Sequence, residues 1–421
     1  MTFATLGLCE ALVTAVTEQG YAEPSPIQQE AIPAVLKHRD VVAIARTGTG
    51  KTAGFTLPVL QLLAEGEPAK PKHVRALIVA PTRELAAQVA ESVDKYSRLM
   101  TLRSAVVYGG MRIEPQIEQL EAGVDVLVAT PGRLLDLYDR EALYFEQLSV
   151  LVLDEADRML DLGFIDDIRR LQTLLPEKRQ TLMFSATLSK PIKALVKGML
   201  NKPQHIEISS ANSTSENVKQ IIHPVDKERK HDVLVHLIAK NRWQQVLVFS
   251  KTKRGADELA LMLNNAGIRS ESIHSNRSQH ARTEALAGFK DNSIAVLVAT
   301  DIASRGIDVN QLPYVVNVDL PFVAEDYVHR IGRTGRAGKT GLAVSLFCEE
   351  EYKQLQAIER LIGRKFEREV VPGFEPSVAG LADPSPDEEY GNFEADTQPR
   401  RRGKGSGKKR GRSRGRSRSH K

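Results

Sequence analysis

Four short stretches of the sequence carry residue types that could act together on a polyphosphate. The first is Ala45-Arg46-Thr47-Gly48-Thr49-Gly50-Lys51-Thr52. Small residues let a backbone curl until several N–H groups point at one anion. In such a loop Lys51 would lie against the β- and γ-phosphates, and the Thr52 hydroxyl would be a ligand for Mg²⁺. The strict phosphate-loop pattern begins with Gly where this chain has Ala45, but Gly50-Lys51-Thr52 keeps its core. The second stretch is Asp154-Glu155-Ala156-Asp157, directly after the apolar run Val150–Leu153. Adjacent carboxylates there suit a nucleotide–Mg²⁺ site, with Asp154 holding the metal through water and Glu155 orienting and deprotonating an attacking water. The third is Ser185-Ala186-Thr187, whose small hydroxyls can hydrogen-bond toward that carboxylate site or cap a following helix. The fourth runs from Tyr327 to Arg336 and spaces Arg330, Arg333 and Arg336 three apart with glycines between. Such a guanidinium cluster can grip phosphate, and from a second domain it would act as an arginine finger; a basic surface patch has the same spelling.

These stretches need a scaffold that delivers them to one place. Short continuous apolar runs at 41–44, 76–80, 105–108, 126–129, 150–153 and 181–184 read as strands buried on both faces, with helical segments between. That alternation predicts a doubly wound α/β domain with its ligands at the carboxyl ends of the strands. The candidate motifs fall at such ends. Residues 209–216 are small and polar without periodicity and read as a linker. A second alternation follows, with strands at 246–249, 270–273, 295–299, 315–318 and 343–347. The expected architecture is two α/β domains, 1–208 and 218–370, joined by a linker at 209–217, with a cleft between them. Upstream, Gly20–Gln28 places Pro24 and Pro26 around Ser25, a rigid non-helical entry to a helix at 27–36. It could hold Gln28 to match the N6 donor and N7 acceptor of adenine, or serve as an N-cap turn.

Composition narrows the classes. Hydrophobic residues make up 42% of 421, enough for real cores, and no apolar run approaches a membrane span. The first residues lack a basic-then-apolar signal, which predicts no export. Cys9 and Cys348 are the only cysteines, so neither a disulfide framework nor a metal cluster is expected, in keeping with a reducing cytoplasm. Between Arg400 and Lys421 there are 12 Lys/Arg and no Asp/Glu; because the whole chain sums to +5, the rest carries −7. A basic tail on an acidic body points to a polyanionic partner. The segment 372–396 is proline-rich and acidic, and neither it nor the Arg/Gly/Ser/Lys end can bury enough apolar surface to fold. A disordered tail is therefore expected over 371–421.

Together the stretches resemble the DEAD-box RNA helicases of superfamily 2. Asp154–Asp157 spells the box, and Gly20–Gln28 with upstream Phe3 resembles the family's adenine-reading Q motif. Ala45–Thr52 matches the family's own phosphate loop, which begins with alanine; Arg46 stands where glutamine is more usual. Pro81–Ala86, Gly109-Gly110 and Thr130–Arg133 resemble first-domain RNA motifs, and Ser185–Thr187 the coupling motif. Val248–Ser250, Ala299–Asp308 and His329–Arg336 match second-domain motifs, while His274–Gln279 has Ser275 where glycine is usual. The likeness covers roughly residues 1–370 in register, and the basic tail is most similar to the bacterial RhlE-like branch.

The resemblance implies two tandem RecA-like domains, an ATP and Mg²⁺ requirement, and RNA-stimulated ATP hydrolysis in the cytoplasm. It implies that Phe3 stacks on adenine and Gln28 recognises it, that Ala45, Arg46 and the run Thr47–Thr52 cradle the phosphates, and that Asp308 meets the ribose. Glu155, Asp154, Lys51, Arg333 and Arg336 would carry catalysis, with Thr52 and Asp154 at the metal. Ser185, Thr187, Asp157 and His329 would couple hydrolysis to RNA. Arg83, Gly110, Thr130, Arg133 and Thr300 would contact RNA phosphates and sugars, so single strands and short duplexes would bind with little sequence preference. Ribosomal precursors and RNA-decay proteins are the partners the family suggests; no membrane is. The tail would add salt-dependent, sequence-blind affinity by replacing counterions on RNA.

Overall fold

A computed structural model describes residues 2–45, 48–208, 218–304, 312–335 and 340–377. The expected linker 209–217 lies outside them, as do Arg46, Thr47, Asp308, Arg336 and everything after 377. Apolar runs form the predicted strands because both faces of each are covered. In the first lobe these are β1 (Val41–Ile44), β2 (Val74–Val79), β3 (Ser104–Val107), β4 (Val124–Ala129), β5 (Val150–Leu153) and β6 (Gln180–Ser185). A further strand, β7 (Gln204–Glu207), joins the edge beside β1. The seven pair in the order β3-β4-β2-β5-β6-β1-β7, all parallel. Successive side chains point to opposite faces. Val150 and Val152 therefore enter one core, with Val41, Phe55 and Phe184, while Leu151 and Leu153 enter the other, with Leu134 and Met159.

The second lobe repeats the plan with β8 (Val218–Pro224), β9 (Val246–Phe249), β10 (Ser270–Ile273), β11 (Val296–Ala299), β12 (Tyr314–Asn317) and β13 (Gly341–Phe347). Their order is β10-β11-β9-β12-β13-β8, again parallel throughout. Neither β7 nor β8 was expected. Polar Gln204 and His205 in one, and Lys219 and Gln220 in the other, interrupt the apolar run, which an edge strand tolerates because it has a neighbour on one side only.

The expected tail also starts later than residue 371. Val371 is buried in the second core, Glu369 O accepts from His223 Nδ1 at 2.6 Å, and Ser377 donates to Asp226. These contacts rest on single apolar residues spaced too widely to leave a periodic signal.

The order β5-β6-β1 matters most for function. It puts the carboxyl ends of three adjacent strands side by side, and those ends carry Asp154, Ser185 and the loop leading to Lys51. On the far side of the first sheet, a buried carboxylate fixes the start of β4. Asp125 accepts hydrogen bonds from Arg103 N at 2.9 Å, Arg75 Nη1 at 3.0 Å and Ala69 N at 3.2 Å. Burial raises its pKa, but these three donors outweigh burial and the net shift is downward. A depressed carboxylate pKa stabilises the fold above the unfolded value near 3.9 and stops doing so as pH falls through the folded value. Asp125→Asn should therefore cost about 1–3 kcal/mol at neutral pH. The gap in melting temperature from wild type should shrink below about pH 4; a gap independent of pH would mean the charge is not what stabilises this corner.

Candidate nucleotide and nucleic-acid site

Gly48 and Gly50 have φ of 82° and 91°, a region that side chains with a Cβ avoid. At Gly50 the reason is also steric. A Cβ there would come within 2.5 Å of Gln28 Nε2 and 3.0 Å of Ser25 Oγ. Gln28 itself is buried, accepting from Ser25 N at 2.9 Å and donating to Gly50 O at 3.0 Å. The capping-turn reading of this segment holds: Gln28 closes the turn before the helix Pro26–Leu36 and also ties it to Gly50 of the phosphate loop. Phe3 departs from expectation. Its ring is 4% exposed, packed with Leu6 and Leu8 in the first core, so it presents almost no face for stacking. The signal missed there was the alternation of Phe3, Leu6 and Leu8 with small residues, an apolar cluster in its own right.

Lys51 opens the helix Lys51–Ala64, buried, its ammonium without a hydrogen-bond partner among the described residues. Asp154 at the end of β5 is buried beside it. The Asp154 carboxyl is pushed up to about 7: burial raises it most, Lys51 and the bond from Glu155 N lower it, and the Glu155 and Asp157 charges raise it. Glu155 sits at φ 51°, ψ 54°, a left-handed conformation that costs a residue with a Cβ about 1–2 kcal/mol. The turn is held by Glu155 N donating to Asp154 Oδ1 at 3.0 Å. Asp157 Oδ2 accepts from Ala186 N at 3.1 Å and Thr187 N at 3.0 Å, while Ser185 Oγ donates to Thr187 O at 2.8 Å. The ends of β5 and β6 are thereby one hydrogen-bonded unit. The orphaned ammonium, the loop that excludes a Cβ and the paired carboxylates all fit a triphosphate with a divalent cation.

The second lobe closes over this unit. A small cavity of about 40 Å³ is lined by Glu155, Asp157, Arg158, Asp161 and Ala186 from the first lobe and by His329 and Arg333 from the second. Arg330, in contrast, is not available to a ligand. It makes a bidentate pair with Asp301 at 2.6 and 2.7 Å and donates to Asn317 Oδ1 at 3.0 Å and Asp319 O at 2.6 Å. The three-arginine cluster is therefore split: one member builds the lobe, Arg333 lines the cavity, and Arg336 lies outside the described residues.

A larger groove of about 560 Å³ lies between the lobes, lined by Arg83, Gly109, Thr130 and Arg133 of the first and by Ser275, Arg277 and Arg282 of the second, among others. Thr82 Oγ1 caps the helix Arg83–Ser97 by accepting from Leu85 N at 3.3 Å, which sets Arg83 in its first turn. Gly110, at φ 78°, lets the Arg83 guanidinium approach, for a Cβ would come within 2.1 Å of it. Burial lowers the Arg83 pKa, as do Arg282 and Arg133 nearby, while Glu84 raises it. Arg133 Nη2 donates to Met111 O at 3.0 Å. Thr130 is the N-cap of the helix Pro131–Asp139 without using its hydroxyl there. Thr300 is buried at the end of β11, its N donating to Ile273 O at 3.3 Å.

Sequence reasoning assigned Arg83 to RNA and gave no role to Arg282, and it did not foresee the bonds that lock this groove. Arg282 Nη2 lies 2.8 Å from Glu84 Oε1, Gln279 Nε2 donates to the same oxygen at 3.2 Å, and Arg83 Nη1 donates to Gln279 Oε1 at 3.4 Å. The available signal was Gln279 and Arg282 one turn apart at the start of the helix Gln279–Lys290, hence on one face.

Two parallel-sheet lobes with a phosphate loop, paired carboxylates and an arginine from the facing lobe define a nucleotide-driven α/β motor of the two-domain kind. Comparison with known proteins is more specific. Residues 25–195 match the family model "DEAD/DEAH box helicase" and residues 229–338 match "Helicase conserved C-terminal domain". The chain is 42% identical over 90% of its length, and 80% of the relative's, to the DEAD-box ATP-dependent RNA helicase CshA of Geobacillus kaustophilus. It is 41% identical over 88% of its length, and 74% of the relative's, to RhpA of Helicobacter pylori. Among solved structures, Saccharomyces cerevisiae Dbp5 bound to RNA and ADP BeF3 aligns with a TM-score of 0.78 and 30% identity, over 88% of this chain and 95% of that one. The chain belongs to the DEAD-box ATP-dependent RNA helicase family, and its two lobes are RecA-like.

The lock makes a prediction. Removing one partner of a buried ion pair costs about 3–5 kcal/mol. Here the loss can be relieved by opening the lobes, which rehydrates Glu84. Arg282→Ala should therefore shift the protein to a more extended shape in small-angle X-ray scattering; an unchanged scattering profile would show that the pair does not hold the lobes.

Proposed function

We propose that this DEAD-box helicase unwinds short RNA duplexes locally and without processive movement. The observation that carries this reading is the shared cavity, in which Glu155 and Asp157 face His329 and Arg333 from the other lobe. Hydrolysis then depends on closure, and the same closure forms the groove lined by Arg83, Arg133 and Arg277. A ligand in either site favours the closed state and so tightens the other, as linkage requires.

In this reading Gly48, Thr49, Gly50 and Lys51 wrap the phosphates of ATP. Thr52 and Asp154 would hold Mg²⁺, which would supply charge neutralisation to the phosphates, and Asp154 would stay ionised beside that positive charge despite burial. Glu155 orients the attacking water and takes its proton, and Arg333 reaches the γ-phosphate. Asp157, bonded to the Ser185–Thr187 turn, passes the state of the box to the rest of the first lobe. Gln28 senses the adenine side through its bond to Gly50. Arg83, Gly110, Thr130, Arg133 and Thr300 take RNA phosphates and sugars, which predicts weak sequence preference. A strand bent in such a groove leaves its complement unpaired over a few bases.

The basic tail supports a place in the RhlE-like branch, the two lone cysteines fit a reducing cytoplasm, and the family suggests work on ribosomal precursors or with RNA-decay proteins. At Arg400–Lys421 the 12 cations would tether RNA near the lobes. Residues 400–421 can be deleted in full-length protein and binding followed as salt rises. The truncated protein should bind RNA more weakly at low salt and show a shallower salt dependence; equal slopes would discard the tether.

The reading is tested by unwinding of duplexes of increasing length with Glu155→Gln beside wild type. Wild type should open short duplexes and fail progressively on longer ones. The Gln variant should turn over ATP at least about 100-fold more slowly, the range for a lost general base, yet still bind RNA in an ATP-dependent way. Normal turnover in the variant would remove Glu155 from its role, and length-independent unwinding would replace local opening with translocation.

A further inference from the structure

We propose that Phe322, with Lys251 against its ring, is a base-stacking platform that extends the RNA track of the second lobe beyond the interlobe groove. The inference rests on the RNA helicase reading and adds a contact to bases, where the groove offers contacts to phosphate and sugar. β9 and β12 are parallel neighbours, so the chain leaves both at the same edge of the sheet. After β12, Leu320 and Pro321 turn inward, and then Phe322 and Val323 turn out, 67% and 54% exposed. After β9, Lys251 N donates to Asp319 Oδ2 at 2.8 Å, which fixes the two loops together. The Lys251 ammonium then sits 3.9 Å from the centroid of the Phe322 ring.

The patch is contiguous with the groove. Lys253 Nζ donates to Asn276 Oδ1 at 2.8 Å, and Asn276 lies between Ser275 and Arg277, both of which line the groove. Arg277, Lys253 and Lys251 are thus successive cations leading from the groove at the end of β10 to the ring at the end of β12. The two strands are separated by β11 and β9, about 14 Å at ordinary strand spacing. The occupant that fits is a nucleotide. Its base offers a π-face to the exposed ring and its phosphate meets Lys251, the combination by which proteins hold single strands without reading sequence. A protein partner would need a broader apolar surface than one phenylalanine and one valine beside a lysine.

The test uses the full chain with a non-hydrolysable ATP analogue and two labelled oligoadenylates, one of about six nucleotides that fills the groove and one about twice as long. Phe322→Ala should weaken binding of the longer strand about 5- to 20-fold, leave the shorter within about twofold, and leave ATP turnover at saturating RNA unchanged. Phe322→Trp should keep wild-type affinity, and its indole emission should be quenched by the longer strand. The native Trp243 is buried and should not respond. If Phe322→Ala binds both strands as wild type does, or the new indole ignores RNA that saturates the groove, the platform is wrong while RNA-stimulated turnover still stands. If wild type neither binds RNA nor is stimulated by it, the helicase reading and the platform fall together.

Discussion

The structure depends on a buried lysine set within electrostatic reach of a buried aspartate. Lys51 opens the helix that follows β1 and Asp154 follows β5, the strands on either side of β6; both are out of water, and the lysine finds no acceptor among the described residues. A charge in that position is costly unless a counter-charge arrives. In the proposed reading the phosphates of a nucleotide would answer the lysine and a divalent cation would answer the aspartate, whose carboxyl is pushed up to about 7, chiefly by burial. The strain at Glu155 belongs to the same arrangement. A left-handed residue between β5 and the following helix leaves Asp154 buried in the first lobe while Glu155 lines the cavity shared with the second.

The other constraint is that the centre is divided. Phosphate loop and carboxylates lie on the first lobe, Arg333 and His329 on the second. The groove is divided in the same way, and Glu84, Gln279 and Arg282 bond across it. One movement therefore completes two sites. That is the physical basis on which a chemical event at the nucleotide can be felt by a strand that never touches it. Arg330 shows how much of the second lobe serves this purpose: its four hydrogen bonds hold the helix that presents His329 and Arg333.

Much of this was legible from residue types alone. Runs such as Val150–Leu153 can only be strands covered on both faces, and the loop Gly48–Thr52 has little use besides an anion. The edge strands β7 and β8 were not legible, because Gln204 and His205 in one and Lys219 and Gln220 in the other break the apolar run. The packing of Val371 and Ser377 was hidden for a related reason, since isolated contacts leave no period. Phe3 was misjudged because a ring in an apolar cluster and a ring awaiting a base are spelled alike. The Glu84–Arg282 pair spans two domains, and no local pattern in one sequence reports a partner nearly two hundred residues away. Arg330 could not be told from Arg333 until the buried acceptors Asp301 and Asn317 appeared around it.

Division of the centre between two lobes is tested most directly by steady-state ATP hydrolysis across a wide range of RNA concentration. Turnover should be slow without RNA, rise to saturation with single-stranded RNA, and require a lower ATP concentration for half-saturation as RNA increases. A rate that is the same with and without RNA would contradict the claim that RNA-driven closure assembles the catalytic site.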